Sequence, residues 1–182
     1  SGNFKGRKIF LPTDKNTRPL RDLVKESIFN LLEHSNKFKI KIKGSNVLDL
    51  FSGSGSFGIE CISRGANKVF FIENYLEALK ILKKNVLNLN ISEKYYILEK
   101  DCFKIFNFKK IINEKLDIIF MDPPYKEKKI NYLIDRIKDE KILNKNGIIV
   151  IHRHKKDEII LSKKLNILDN RKYGISKIII GD

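Results

Sequence analysis

Residues 46–58 read NVLDLFSGSGSFG, an apolar strand that runs directly into a glycine-rich loop. Glycines at such a loop let the backbone turn sharply and approach a ligand above the first turn of the next helix. Ligands of open α/β sheets bind where strands end in this way. The stretch therefore predicts a strand, a ligand-binding loop and a helix, which together are the opening unit of an α/β fold.

Short apolar segments follow at the intervals typical of parallel strands separated by helices. The predicted strands are 46–51, 69–73, 95–99, 116–121, 147–152, 165–169 and 175–180. Apolar residues at helical spacing predict helices at about 20–32, 56–64, 75–90 and 128–140. The last strand, YGISKI, is expected to form a hairpin with its predecessor. The predicted fold is α/β, a doubly wound, Rossmann-like, seven-stranded and mostly parallel sheet with a C-terminal antiparallel hairpin.

The N-terminal part of the chain is basic and differs in pattern from the rest. Residues 6–15 read GRKIFLPTDK, a short basic strand or arm, and the first predicted helix follows it. Residues 36–44 alternate lysine with apolar residues, which fits either an edge strand or a charged connector. Internal repeats and long linkers are absent from the sequence. We expect one domain, 1–182, with 1–44 as an N-terminal extension and 45–182 as the core.

The charge balance favours a polyanionic partner. Lysine and arginine number 37 against 22 acidic residues, which gives a formal net charge of +15. Such a charge favours nucleic acid through phosphate contacts, although a compositional bias toward lysine explains part of it equally well. An apolar run near the roughly 20 residues of a membrane-spanning helix is missing, and so is a secretion signal. The sequence predicts a cytoplasmic protein without a membrane partner.

Cysteine and histidine give little sign of metal or redox chemistry. Cys61 and Cys102 lack metal-type or disulfide spacing, so we interpret them as reduced packing residues. His152 and His154 alternate on the predicted fifth strand and would face one side of it. Two ligands with no evident third argue against a metal site. We interpret these histidines as surface or RNA-facing side chains and expect no metal.

Acidic residues end three of the predicted strands. Asp49 precedes the first glycine of the loop, where a carboxylate repels phosphate and suits a cationic ligand. Glu73 ends the second strand, at about the place where an acid accepts hydrogen bonds from ribose hydroxyls. Asp101 follows the third strand. Together they indicate a nucleoside pocket, although each one alone is explained equally well as a helix cap.

The fourth strand delivers the tetrapeptide DPPY, Asp122-Pro123-Pro124-Tyr125, to the same edge of the sheet. Two prolines fix the backbone and leave rigid carbonyls that can accept hydrogen bonds from an amino group. The Asp122 carboxylate is a further acceptor, and the Tyr125 ring can stack on a base. A Pro-Pro turn that merely ends the strand is the alternative. The pattern favours chemistry on the exocyclic amino group of a nucleobase.

Taken together, these segments resemble the RsmD family of 16S ribosomal RNA guanine-N2 methyltransferases, which are class I S-adenosylmethionine-dependent enzymes. The likeness rests on GRKIFLP, TRPLRDLVKESIFNLL from residue 17 to 32, DLFSGSGSFGIE, Glu73, Asp101-Cys102, DPPY and the terminal YGISKI. It spans almost the whole chain and is looser after Tyr125. DPPY is shared with DNA methylases that modify adenine N6 or cytosine N4.

The resemblance implies S-adenosylmethionine as cofactor and assigns roles to individual residues. Cofactor binding is assigned to Asp49, Phe51, Gly53, Ser54, Gly55, Glu73, Asp101, Cys102 and Asp122. Catalysis on the target guanine is assigned to Asp122, Pro123, Pro124 and Tyr125. RNA contacts are assigned to Arg7, Arg18, Pro19 and Arg21. The implied substrate is guanine 966 of the small-subunit ribosomal RNA, free or in an assembly particle, and the expected state is a monomer.

Three other functions share parts of this pattern. A DNA amino-methyltransferase would have DPPY and the same loop, but it usually needs a target-recognition region for which the chain has no room. A nicotinamide-dependent oxidoreductase would fit the GxGxxG spacing of Gly53, Gly55 and Gly58, which by itself is a weak signal. Asp49 and the DPPY tetrapeptide argue against it. A non-catalytic ribosome-assembly protein that keeps the fold is the third alternative.

Overall fold

A single β-sheet forms the centre of the molecule. The computed structural model describes residues 2–4, 6–12, 20–91 and 93–182, and within these residues seven strands form one sheet. The strands are β1 (Asn46–Leu50), β2 (Lys68–Glu73), β3 (Tyr95–Glu99), β4 (Leu116–Met121), β5 (Leu143–His154), β6 (Ile167–Tyr173) and β7 (Ser176–Gly181). Their order in the sheet is β3-β2-β1-β4-β5-β7-β6.

The strand order reverses at β1, which has β2 on one side and β4 on the other. The five strands β1 to β5 run parallel, whereas β7 runs antiparallel to both β5 and β6. A reversal of this kind opens a crevice at the carboxyl ends of the two diverging strands, and ligands bind there in open α/β sheets. The loops after β1 and β4 therefore form the expected binding edge.

Helices cover both faces of the sheet. They are α1 (Asp22–His34), α2 (Ser56–Ser63), α3 (Leu76–Asn88), α4 (Phe108–Ile112) and α5 (Ile130–Asp139), with a one-turn 3-10 helix at Cys102–Lys104. Residues of α1, α2 and α3 pack on one face, while α4 and α5 pack on the other. Successive strand residues point to opposite faces, so each buried strand is apolar on both sides. None of the helices in the described part of the chain has the length and apolar character needed to span a bilayer.

The first helix is joined to the main core by stacked aromatic rings. The Phe29 ring of α1 lies 5.1 Å from the Phe57 ring of α2, and Phe57 in turn lies 4.0 Å from Phe120 of β4. Lys25 Nζ also donates to Ser56 Oγ at 3.1 Å. The N-terminal helix therefore shares one hydrophobic core with the sheet.

The predicted sheet and C-terminal hairpin are confirmed, with four local differences. Residues 36–44 form a connector and no strand, so the edge-strand alternative is wrong. The fifth strand begins at Leu143, before its predicted start, and the sixth runs on to Tyr173. Helix α4 was not predicted, because five residues are too few to show helical periodicity. Residues 13–15 of the predicted arm lie outside the described residues.

We expect Phe57→Ala to destabilise the protein by about 3–5 kcal/mol, because the change removes the central ring of the stack and leaves a cavity. Urea unfolding followed by circular dichroism measures the difference in free energy of unfolding. Phe106→Ala is the matched control, since its ring is 92% exposed. Equal stability of the two variants would show that the stack does not join α1 to the core.

Candidate active site

The candidate site lies at the carboxyl ends of β1, β2 and β4. A cavity of about 230 Å³ opens there between the loop after β1 and the DPPY loop. Phe51, Glu73, Asp101, Cys102, Phe103 and Pro124 are among its lining residues. Drug-sized ligands usually occupy about 300–1,000 Å³, so the cavity suits the nucleoside part of a larger ligand. The structure thus brings five of the assigned residues to one cavity.

A second concavity, of about 440 Å³, lies at the opposite edge of the sheet. Its lining includes Lys39, Lys41, Lys43 and Lys145. It lies at the amino ends of β1, β4 and β5, whereas the glycine loop follows the carboxyl end of β1. Nucleosides bind at the carboxyl edge in this type of sheet, so we place the candidate site at the smaller cavity.

The loop after β1 adopts a backbone conformation that few residues tolerate. Phe51 has φ of 61°, a left-handed conformation that costs energy for a bulky side chain and is concentrated at functional sites. Gly55 has φ of 80° at the start of α2, and an added Cβ there would lie 2.4 Å from Leu82 Cδ1. The loop is therefore held in one shape by packing from α3.

Glu73 connects this loop to the turn after β2. Its Oε2 accepts a hydrogen bond from Gly53 N at 2.8 Å. Its Oε1 accepts from Asn74 N at 2.9 Å and from Tyr75 N at 2.8 Å. A carboxylate has about four lone-pair positions, and the bonds from the described residues use three of them, which leaves one for a ligand hydroxyl. Glu73 therefore restrains the glycine loop by a hydrogen bond and also lines the cavity.

Asp49 is the buried acid of the site, with only 1% of its surface exposed. Burial raises the pKa of its carboxyl well above the ordinary value, and the nearby charges of Asp122 and Glu73 raise it further. A hydrogen bond from Gly58 N at 3.0 Å to Asp49 Oδ2 opposes this shift. A cationic ligand would stabilise the ionised form of Asp49 and relieve the repulsion among the three acids.

Asp101 and Cys102 lie on the far wall of the cavity. Asp101 Oδ1 accepts from Phe103 N at 2.9 Å and so caps the 3-10 helix. Asp101 therefore has both of the roles considered for it, because it caps a helix and also lines the cavity. Burial raises the pKa of the Cys102 thiol to about 12. This cysteine stays protonated near neutral pH and acts as a packing residue, not as a nucleophile.

The DPPY loop is fixed from behind by Arg153, which sequence reasoning missed. Arg153 is 2% exposed and donates to the carbonyls of Pro124 (3.3 Å), Tyr125 (3.2 Å) and Glu127 (3.0 Å). It also pairs with Asp157. The Pro124 carbonyl is thus used inside the loop, and Pro124 contributes to the site mainly as a wall of the cavity.

His152 is buried, so its interpretation as a surface or RNA-facing side chain is wrong. It is 3% exposed, and its Nδ1 lies 2.8 Å from Asp122 Oδ1. Its Nε2 lies 2.9 Å from Ser176 Oγ. His154 lies instead beside the Tyr125 ring, with ring centroids 5.2 Å apart in an edge-on arrangement. Within the described residues, no cluster of three or more potential metal ligands occurs.

Asn85 of α3 joins the N-terminal arm to the glycine loop and was also missed. Its Oδ1 accepts from Phe10 N at 2.7 Å. Its Nδ2 donates to Phe10 O and to Ser54 O, both at 2.9 Å. Asn85 is 1% exposed. The arm therefore reaches the site through a buried amide, which no sequence pattern signals because asparagine at a single helix position has many uses.

Two of the four residues assigned to RNA contacts lie in the described part of the chain. Arg7 and Arg21 are exposed, on the arm and directly before α1 respectively. Arg7 lies over the Phe4 ring, with 5.9 Å between its guanidinium carbon and the ring centroid. Arg18 and Pro19 lie outside the described residues, so their assignment stays a prediction.

We expect Asp49→Asn to alter both stability and ligand binding. Because the folded pKa of Asp49 is raised, the folded state binds more protons, and wild-type stability falls as pH rises from the unfolded value of about 3.9 toward the folded value. Asparagine still accepts the Gly58 N–H but does not titrate, so its melting temperature should decline less over that window. Affinity for S-adenosylmethionine should fall about 10-fold or more.

Thermal melts across the pH range and calorimetric titration with S-adenosylmethionine measure these two effects. The control is Asp139→Asn, because the Asp139 side chain is 62% exposed and lies on the outer face of α5. Parallel pH curves for Asp49→Asn and wild type, with equal affinity, would contradict the role of Asp49.

We expect Asn85→Ala to weaken S-adenosylmethionine binding several-fold and to speed proteolytic cleavage of the arm. The change leaves the buried Ser54 carbonyl and the part-buried Phe10 carbonyl without their donor, at a cost of about 1–3 kcal/mol. Asn88→Ala is the matched control, since Asn88 is exposed on the same helix. If both variants behaved as wild type, the arm and the loop would not be coupled through Asn85.

Comparison with known proteins gives the family. Residues 1–181 match the family model described as Conserved hypothetical protein 95. The chain is 38% identical over 163 residues to the ribosomal RNA small subunit methyltransferase D of Buchnera aphidicola subsp. Acyrthosiphon pisum, covering 90% of this chain and 81% of that protein. It is 30% identical over 175 residues to the protein of the same name from Haemophilus influenzae, covering 96% and 88%.

A solved structure supports the architecture independently. A hypothetical protein of Thermus thermophilus aligns with a TM-score of 0.79 over 99% of this chain and 95% of that chain. Its sequence identity is 22%, so this likeness shows the shared fold alone. From the family match and the two relatives, the chain belongs to the RsmD family of methyltransferases.

Proposed function

We propose that this protein transfers a methyl group from S-adenosylmethionine to the exocyclic N2 of a guanine in small-subunit ribosomal RNA. The observation that carries the proposal is the position of the DPPY loop. Asp122 directly follows β4 at the carboxyl edge of the sheet, and Pro124 lines the nucleoside cavity. The DPPY loop therefore supplies an acceptor for an amino group, Asp122, and also part of the lining of the nucleoside cavity, Pro124.

The residues of the cavity fit this cofactor. Glu73 retains one acceptor position for a ribose hydroxyl, and the Phe51 and Phe103 rings, 5.8 Å apart, offer apolar surface to the adenine. Asp49 favours a cation near the loop that spans Gly53 to Gly55. S-adenosylmethionine supplies a methyl group on a positively charged sulfur; on its transfer to N2, the C–S electron pair stays on sulfur and N2 gives up one proton.

The DPPY loop suits the target base. The Asp122 side chain is 13% exposed, so its carboxylate is largely shielded from water, and it lies two residues before Pro124, which lines the cavity. We assign the N–H groups of the guanine amino group to Asp122 and the Pro123 carbonyl. The released proton goes to Asp122. Tyr125 is 40% exposed, and stacking on its ring, worth about 1–3 kcal/mol per base, offsets part of the cost of unstacking the nucleotide.

The surface charge suits ribosomal RNA. The net charge of +15 favours phosphate contacts, and Arg7 and Arg21 are exposed on the same N-terminal segment as Arg18 and Pro19. Within the proposal, residues 1–182 act as one methyltransferase domain with 1–44 as its RNA-binding extension. Guanine 966 is the proposed target, in free RNA or an assembly particle, with the enzyme acting as a monomer in the cytoplasm.

The test is incubation with labelled S-adenosylmethionine and unmodified small-subunit ribosomal RNA, naked or in particles, followed by nucleoside mass analysis. We expect N2-methylguanosine in RNA and no label in duplex DNA. Label in DNA adenine or cytosine would replace this proposal with a DNA amino-methyltransferase. Cofactor binding without transfer to either polymer would favour a non-catalytic ribosome-assembly role.

We expect Asp122→Ala to lower the rate of methyl transfer by at least about 100-fold, because the variant loses the acceptor of the amino-group proton. Calorimetry should show that S-adenosylmethionine binding is largely retained. Asp139→Ala, on the outer face of α5, should transfer methyl groups at the wild-type rate. Loss of cofactor binding equal to the loss of transfer would contradict the assigned role of Asp122.

A further inference from the structure

Behind the DPPY loop, the side chains of Asp122, His152 and Ser176 form a row, of which His152 and Ser176 are buried. His152 Nδ1 lies 2.8 Å from Asp122 Oδ1, and His152 Nε2 lies 2.9 Å from Ser176 Oγ. His152 and Ser176 are each 3% exposed. Buried polar groups cost stability unless they are fully paired. A buried histidine and a buried serine at this edge of the sheet therefore point to a use beyond packing.

The register of the strands brings the row together. Residue Met121 pairs with Ile151 in the parallel ladder, so the next residues along, Asp122 and His152, are neighbours. The antiparallel ladder pairs His152 with Ile178 and His154 with Ser176. By strand alternation, Asp122, His152 and Ser176 lie on the face covered by α1, α2 and α3, the same face as Asp49. The row is built on three adjacent strands and is rigid.

The hydrogen-bond partners fix where the protons lie. An ionised Asp122 only accepts hydrogen bonds, so His152 donates through Nδ1–H. In the neutral ring, Nε2 then accepts, and the Ser176 hydroxyl donates to it. Ser176 thereby holds the ring in the orientation that points the Nδ1 donor at Asp122. The proton positions are assigned from this network of partners.

We propose that His152 is a positioning residue for methyl transfer. It holds Oδ1 of Asp122, so that Oδ2 is turned toward the amino group of the target base. An aspartate carboxylate rotates broadly about its last torsion unless hydrogen bonds restrain it, and the bond from His152 is one such restraint on Asp122. When Asp122 takes the released proton on Oδ2, Oδ1 still accepts from His152, so the same hydrogen bond holds before and after transfer. This proposal rests on the proposed function of Asp122.

Strand β5 holds the DPPY loop from both of its faces. His152 holds the Asp122 side chain on one face, and Arg153 holds the backbone carbonyls of Pro124, Tyr125 and Glu127 on the other. His154 lies against the Tyr125 ring. Three consecutive residues of one strand thus set the positions of the acceptor, the loop backbone and the stacking ring.

Two substitutions at His152 separate positioning from packing. Asparagine places an amide nitrogen near the position of Nδ1 and keeps a donor toward Asp122, whereas glutamine places its amide near Nε2 and keeps only the contact with Ser176. We expect His152→Gln to lower kcat about 100-fold with KM and calorimetric Kd for S-adenosylmethionine unchanged. His152→Asn should stay within several-fold of the wild-type kcat. His34→Gln, on the exposed end of α1, should have the wild-type kcat.

The outcomes distinguish this inference from the proposed function. If wild type forms no N2-methylguanosine, the proposed function fails. If wild type methylates and His152→Gln keeps the wild-type kcat, or if both variants lose kcat equally, the positioning role is overturned. If circular dichroism shows that His152→Gln is unfolded, Ser176→Ala is measured in its place. A lower kcat with unchanged cofactor Kd supports positioning, and an unchanged kcat overturns it.

Discussion

The site depends on three carboxylates that converge at one edge of the sheet. Asp49 lies in β1, Glu73 ends β2 and Asp122 directly follows β4. The charges of Asp122 and Glu73 raise the pKa of Asp49 further, beyond the effect of its burial. In a chain of net charge +15, this edge is a local concentration of negative charge in a partly buried space. Each acid is restrained by hydrogen bonds, so the repulsion cannot be relieved by rotation into solvent. A cationic ligand bound beside these acids would relieve it.

The surrounding structure serves to hold these acids in place. Gly58 N and Gly53 N bind two of them directly, and the left-handed Phe51 turns the loop back over the cavity. On the other side, β5 supplies His152 and Arg153 at adjacent positions, which fix Asp122 and the loop that follows it. In the proposed function, the cofactor half and the base half of the site therefore share the reversal point between β1 and β4.

The sequence predicted the features that depend on local pattern. Apolar strands with turn residues between them were enough for the sheet. The acids at strand ends indicated the edge at which the cavity lies, because parallel strands bring their carboxyl ends to one edge, and two of them, Glu73 and Asp101, line it. Buried polar partners were not predictable in this way. His152, Arg153 and Asn85 act across elements that lie far apart in the chain, and nothing in their immediate neighbours distinguishes them from surface residues.

The dependence on contacts between distant segments also explains the errors in the predicted fold. Helix α4 is stabilised by burial of Phe108 and Ile112 against the sheet, which is a tertiary effect that five residues do not reveal. The lysine-rich connector at 36–44 alternates like a strand, but Phe38 and Ile42 are buried against the main core without a partner strand. Alternation predicts a strand only where a neighbouring strand is available for pairing.

The central claim is that the nucleoside cavity and the DPPY loop are two halves of one site. A crystal structure of the protein with bound S-adenosylhomocysteine tests it most directly. We predict adenosine among Phe51, Glu73, Asp101 and Cys102, with the sulfur directed toward Asp122. A nucleoside bound in the lysine-lined concavity at the opposite edge, or a sulfur directed away from the DPPY loop, would contradict the account.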